Sequence, residues 1–239
     1  SMVALSLLEF FVREDMNKTV QRAMAVIDPV KVIIDNYPEE KVEMIEADNN
    51  PEDEGAGTRE LPFSRVIFIE REDFMEDPPK KFFRLAPGRE VRLKHAYFIR
   101  CGQVVKDAAG AVTEIHCTYD PASRGGRSPD GRKVRGALHW LSAAHAPDAE
   151  LRLYEPLFTC ENPAALPGDA DFPAAINPRS LRVVTGKIEP ALAGAACGEK
   201  FQFLRQGYFC ADSDHRPERP VFNRTVSLKD GWARVQRNS

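Results

Sequence analysis

KKFFRLAPGREVRLKHAYFIR, residues 80–100, holds seven Lys or Arg, a single acid (Glu90) and the aromatics Phe82, Phe83, Tyr97 and Phe98. From Glu90 onward the pattern alternates. Val91, Leu93, Tyr97 and Ile99 fall on one side of an extended chain, and Arg92, Lys94, Phe98 and Arg100 fall on the other. A period of two predicts one strand over Val91–Arg100. A strand that presents guanidinium, ammonium and aromatic groups together suits single-stranded RNA: cations meet phosphates or base edges, and flat side chains stack on splayed bases. The plainer alternative is a solvated strand face with a few aromatics in the core.

Working outward, the surrounding charge is uneven. The chain of 239 residues has formal charge −3, yet Glu39–Glu60 carries nine acids against two bases, Lys80–Arg100 is strongly basic, and Arg124–Arg135 has five bases against Asp130. Basic segments set against an acidic average mark a binding face, unless the two signs pair inside the fold. Hydrophobic residues make up 43%, enough to bury a core of one or two domains. No apolar run approaches the roughly 20 residues that span a bilayer, and nothing near the start resembles a signal peptide. Ser1-Met2 reads as an expression scar on a fragment. Cys101, Cys117, Cys160, Cys197 and Cys210 show no C-x-x-C spacing, so buried reduced thiols in a cytoplasmic protein are expected.

Residues 4–16 predict an amphipathic helix with Leu5, Leu8, Phe11 and Val12 on one face. Strands are expected at 30–35, 65–70, 91–100, 112–119, 133–141, 151–154, 180–185, 200–204 and 207–210. Short helices are expected near 71–76 and 190–197, and loops at 46–62 and 120–132, the second mobile and basic. Many short strands broken by Pro and Gly point to a mainly β protein made of antiparallel barrels. No P-loop, G-x-S-x-G or H-E-x-x-H is present, and His139 and His145 lack ligands at metal spacing, so no catalytic or metal residue is nominated. Asp73 and Asp77, near Glu70, read as acids at a helix start rather than paired catalytic carboxylates.

Six segments then carry a resemblance: RAMAVIDPVKVIIDNYP (22–38), GTRELPFSRVIFIEREDF (57–74), FFRLAPGREVRLKHAYFI (82–99), DGRKVRGALHWLSAAHA (130–146), KFQFLRQGYFC (200–210) and PVFNRTVSLKDGWA (220–233). In this order they resemble the carboxyl-terminal, anticodon-binding half of the bacterial-type glutaminyl-tRNA synthetases, class I enzymes whose H-I-G-H and K-M-S-K-S catalytic signatures are missing here. The resemblance implies two antiparallel six-stranded, ribosomal-protein-like β-barrels behind a short helical remnant. It implies residues 1–20 as scar and connecting helix, 21–138 as the first barrel and 139–239 as the second, with the last strands returning to the first. It also implies a monomeric cytoplasmic protein with no membrane partner, inactive alone, that grips the anticodon loop of the glutamine tRNA. The parent ligase would use ATP and Mg2+, while this portion needs no cofactor.

The resemblance places Arg22, Gln202 and Arg205 around the middle anticodon base, Arg84 at the third, Arg92 with Lys94 at the first, and Lys81 among further polar contacts. Planar guanidinium forks and an amide with both donor and acceptor fit base edges. Arg22 could instead pair with Asp28, and Arg205 could be an ordinary exposed arginine. Lys94 stands where some members have arginine, Phe83 replaces a polar or basic residue, and the acidic loop 49–54 departs most from the family. Rival readings are a glutamyl-tRNA synthetase of the archaeal and eukaryotic type, separable at the third base, and a stand-alone RNA-binding barrel.

Overall fold

The computed structural model describes residues 5–128, 130–160 and 172–228. One helix, α1 (Leu5–Thr19), precedes β1 (Gln21–Ala23), β2 (Ala25–Val26), β3 (Pro29–Ile34), β4 (Glu43–Asp48), β5 (Thr58–Phe63), β6 (Val66–Glu70), β7 (Glu90–Leu93) and β8 (Phe98–Lys106). Then come β9 (Val112–Asp120), β10 (Ala137–Leu138), β11 (Leu141–Ser142), β12 (Asp148–Tyr154), β13 (Leu181–Ile188), β14 (Lys200–Phe203), β15 (Gly207–Ala211) and β16 (Val221–Val226).

Two sheets hold most of them, in the orders β10-β7-β8-β9-β3-β6-β11 and β1-β14-β15-β16-β12-β13-β2. In each, the first and last segments are neighbours in the chain: β10 and β11 flank His139 and Trp140, and β1 and β2 flank Met24. One interrupted strand therefore supplies both edges, and each sheet closes on itself as a six-stranded barrel, leaving no open edge. The amino-terminal strand 21–26 completes the barrel made by the carboxyl-terminal strands. The pairs β1–β14, β10–β7, β12–β16 and β3–β9 are parallel and the others antiparallel.

Side chains at both interruptions turn into the first core, Met24 included although its strand closes the second barrel. Met24 and Trp140 are buried. The Trp140 indole packs 4.9 Å from Phe63 and donates its N–H to the Lys94 carbonyl at 2.9 Å. Phe63 in turn meets Tyr37 and Tyr97 in edge or tilted contacts. The second core is built on Phe201, Phe203, Phe209 and Phe222, with Phe203 stacked on Phe209 at 4.4 Å.

Several expectations need correction. Val91–Arg100 is not one strand but the β7–β8 hairpin, turned at 94–97. The error is concealed because Arg92 pairs with Phe98 and Val91 with Ile99; facing residues share a face, so the alternation crosses the turn in phase. Phe98 is buried, not displayed. Residues 46–62 are not loop throughout: β4 and β5 form a hairpin that buries Ile45, Ala47, Leu61 and Phe63 against the first core. Strand 133–141 is reduced to β10 (Ala137–Leu138) and the first residue of β11, with Gly136 at φ +96 just before β10. The helices expected at 71–76 and 190–197 are the 3-10 turns Arg71–Asp73 and Pro190–Gly194.

α1 docks through its last turns, where Met16 and Val20 pack on Tyr208 and Val226. Asn50 donates Nδ2 to the carbonyls of Asn17, Lys18 and Val20 at 3.2–3.3 Å, satisfying groups that the helix end leaves open. Its first turns leave Leu5, Leu8 and Phe11 exposed. Ser1-Met2 lies outside the described residues. Among those residues no helix is long and apolar enough to cross a membrane. Cys101 and Cys117 are buried, Cys160 and Cys210 are half-buried, and Cys197 is exposed, so burial accounts for only part of the thiol set.

Candidate nucleic-acid interface

β1 runs parallel to β14 with Arg22 opposite Gln202, so two side chains distant in sequence share one face. The buried Gln202 amide donates to the Tyr208 hydroxyl at 3.2 Å, and that hydroxyl donates to Asn17 Oδ1 at 3.4 Å. Arg22 Nη2 donates to the same Asn17 oxygen at 3.1 Å and lies 3.6 Å from Glu52. Arg22 Nε is buried and has no partner among the described residues. An unmatched interior N–H is costly. Asp28 is not the Arg22 partner; it pairs with Arg71 at 3.3 Å.

Arg84 and Arg205 meet elsewhere. Asp73 is 0% exposed; its Oδ1 lies 2.9 Å from Arg84 Nη1 and its Oδ2 accepts from Arg205 Nη1 at 2.5 Å. The exposed Glu72 touches both, at 3.3 and 3.1 Å. Burial disfavours the Arg205 charge, but Asp73, Glu72 and Glu70 more than offset this and hold the proton more tightly. Thus the structure brings Arg22 to Gln202 and Arg84 to Arg205. Asp73 is the last residue of the 3-10 turn Arg71–Asp73, but its carboxylate is engaged by two arginines, so neither Arg84 nor Arg205 is an unattached surface arginine.

The β7–β8 turn carries the third group. Burial lowers the Lys94 ammonium below its usual range, and Arg22, Arg59 and Arg92 push it the same way against Asp48. His95 sits at φ +64. Burial, with Lys94, Arg59 and Arg92 beside it, lowers its imidazole to about 4, again against Asp48. Like charges gathered this closely favour an incoming anion. They also set a pH dependence. Between the usual value of 6.5 and about 4, the unfolded chain binds a proton that the folded His95 refuses, so stability falls as pH drops through that window. Urea unfolding midpoints at pH 7 and pH 5 should differ less in His95→Asn, which tolerates the left-handed turn. An unchanged difference would remove His95 as the cause.

Arg92 is exposed, and its stem lies across Gly126, where an added Cβ would come within 2.7 Å of Arg92 Cδ. Lys81 is exposed on the turn before Phe82. Phe83 is 47% exposed with the Arg135 guanidinium 5.4 Å over its ring, a flat cationic platform of the kind that stacks on bases. Phe82, Phe83, Arg84, Arg89, Lys133 and Arg135 line a cavity of about 280 Å³ there. Gly136 is obligatory beside it, since a Cβ would stand 2.0 Å from the Phe83 carbonyl oxygen.

The basic loop 120–132 is more anchored than expected. Arg132 is clamped by Glu90, Asp120 and Asp130 at 2.6–2.9 Å and lies over Phe98. Arg127, Lys133 and Arg135 remain exposed.

Sequence reading missed Asn17, Tyr208, Glu72, Arg59 and His95, and it singled out Asp73 only as an acid at a helix start. His95 carried a signal, inside the basic stretch; the others act through contacts between distant segments.

Two closed barrels carry arginine forks, an amide and a cation-capped aromatic, groups whose chemistry suits base edges and faces. Comparison with known proteins makes the class specific. Residues 20–120 and 137–212 match two models, each described as tRNA synthetases class I (E and Q), anti-codon binding domain. The chain belongs to this family of anticodon-binding domains. It is 54% identical to a glutamine–tRNA ligase of Nitrobacter hamburgensis over 98% of its own length and 41% of that relative. It is 51% identical to one from Bradyrhizobium diazoefficiens, over 98% and 41%, and 53% identical to one from Clostridium kluyveri, over 97% and 42%. The chain thus spans about two fifths of the length of the curated relatives it matches.

Proposed function

We propose that this chain recognises the anticodon loop of the glutamine tRNA as part of a longer glutamine–tRNA ligase. The ligase would join glutamine to its tRNA with ATP and Mg2+ in the cytoplasm, and this portion, itself a monomer, would supply tRNA identity rather than chemistry. The observation that carries the reading is the Arg22–Gln202 register pair, which sets a fork and an amide side by side. Arg22 and Gln202 read the middle base, with Arg205 approaching from the β14–β15 turn. Arg84 reads the third base, Arg92 and Lys94 the first, and Lys81 adds a polar contact. A splayed uracil offers two carbonyl acceptors and one N–H; arginines take the acceptors and the glutamine carbonyl takes the N–H.

The sheet pairings support a first unit of about residues 29–142 and a second made of 21–26 with 148–226. The exposed Leu5, Leu8 and Phe11 support a helix face covered by the rest of the longer chain.

Salt titration tests the phosphate contacts. Binding to a glutamine tRNA should weaken with salt at a slope of roughly −0.7 per contacted single-strand phosphate. Lys133→Ala or Arg127→Ala should flatten the slope and weaken all tRNAs alike. If neither changes it, that basic surface does not meet RNA.

A further inference from the structure

Asp73 ends the 3-10 turn after β6 and belongs to the first barrel, as does Arg84 on the loop that follows. Arg205 comes from the β14–β15 turn of the second barrel. Asp73 has no exposed side-chain surface; its Oδ2 accepts a hydrogen bond from Arg205, and its Oδ1 lies 2.9 Å from Arg84 Nη1 as an ion pair, without hydrogen-bond alignment among the described residues. The attachments extend to the backbone. Leu85 donates its N–H to the Asp73 carbonyl at 2.9 Å, fixing the Arg84 loop. Gln206 donates Nε2 to the buried Glu70 at 2.7 Å, fixing the turn that carries Arg205. Arg205 itself holds φ +68, a conformation uncommon for arginine. Each guanidinium has five N–H donors in one plane. One contact to a fixed carboxylate sets that plane and leaves further donors for an RNA base.

We propose that Asp73 is a positioning residue that couples two neighbouring base pockets, holding Arg84 and Arg205 so that the third and middle anticodon bases are read together. This rests on the reading that Arg84 and Arg205 contact those bases. Removing either arginine leaves Asp73 with one fork, which re-aims the remaining guanidinium. A carboxylate that merely braced the barrels would alter stability without altering base discrimination.

The test uses the 239-residue chain and three RNA stem-loops: one with a glutamine anticodon, one with its middle uracil changed to cytosine, and one with its third guanine changed to cytosine. Affinities are measured at one salt concentration. Asp73→Asn should reduce discrimination at both positions by roughly fivefold or more. Arg84→Ala should reduce it at the third base and also, by coupling, at the middle base. Asp28→Asn should preserve both ratios, because Asp28 pairs with Arg71 and touches neither Arg84 nor Arg205. A folded Asp73→Asn that weakens all three RNAs by one common factor overturns the proposal, as does Arg84→Ala with an unchanged middle-base ratio. If Asp73→Asn does not fold, the Arg84→Ala cross effect decides alone. A wild-type chain that does not prefer the glutamine stem-loop would instead overturn the anticodon reading beneath it.

Discussion

Glu189→Ala is expected to destabilise the fold by about 3–5 kcal/mol, the usual penalty for leaving a buried charge without its partner. Glu189 is 1% exposed and sits between the barrels. It accepts from Arg59 Nε at 2.7 Å and Nη2 at 2.8 Å, and from the Met24 backbone N–H at 2.6 Å. Met24 is the break in the strand that closes the second barrel, and Arg59 belongs to the hairpin packed on the first. Truncation therefore strands a guanidinium that is only 10% exposed together with a buried amide donor. The melting temperature should fall by about 10 °C. Urea denaturation checks this; a loss below about 1 kcal/mol would show that water or a neighbour replaces the carboxylate. Glu189→Gln, which keeps the acceptor for Met24, should lose less.

Arg22→Ala should have the largest effect on RNA. Its fork serves Asn17 and Glu52, and its buried Nε has no partner among the described residues. If a uracil oxygen completes that set, removing the fork forfeits one or two charged contacts of about 1–3 kcal/mol each. Affinity for a glutamine stem-loop should drop about tenfold to a hundredfold. The loss should be smaller for a stem-loop with cytosine in the middle, because its amine already opposes the donors. Equal losses on both RNAs would mean that Arg22 supports the strand and does not read the base. Combination with Arg205→Ala should be non-additive, since both are assigned to one base.

Much of the fold was legible because barrel strands alternate. β3 buries Val30, Val32 and Ile34, and β12 buries Ala149, Leu151 and Leu153, as a period of two requires. What failed was turn placement. Pro51, Gly55 and Gly57 made 46–62 read as loop, although Ile45, Ala47, Leu61 and Phe63 alternate on both sides of it. β1, β2 and β16 escaped as well. The first two are very short, with Ala23, Met24, Ala25 and Val26 all buried, so no polar face marks them. The interface was less legible still. The residues Arg22, Arg84, Gln202 and Arg205 came from resemblance, not from spacing. Asp73 lies 132 residues from the Arg205 it binds, and nothing local announces such a pairing.

The most direct measurement is a binding titration of this chain against tRNA anticodon stem-loops at fixed, moderate salt. The glutamine anticodon should bind tightest. Changing its middle uracil or third guanine should each weaken binding at least about tenfold, and a glutamate anticodon, which differs at the third base, should rank with the latter. Equal affinity for all of these stem-loops would contradict the account, leaving a basic barrel surface that holds RNA without reading it.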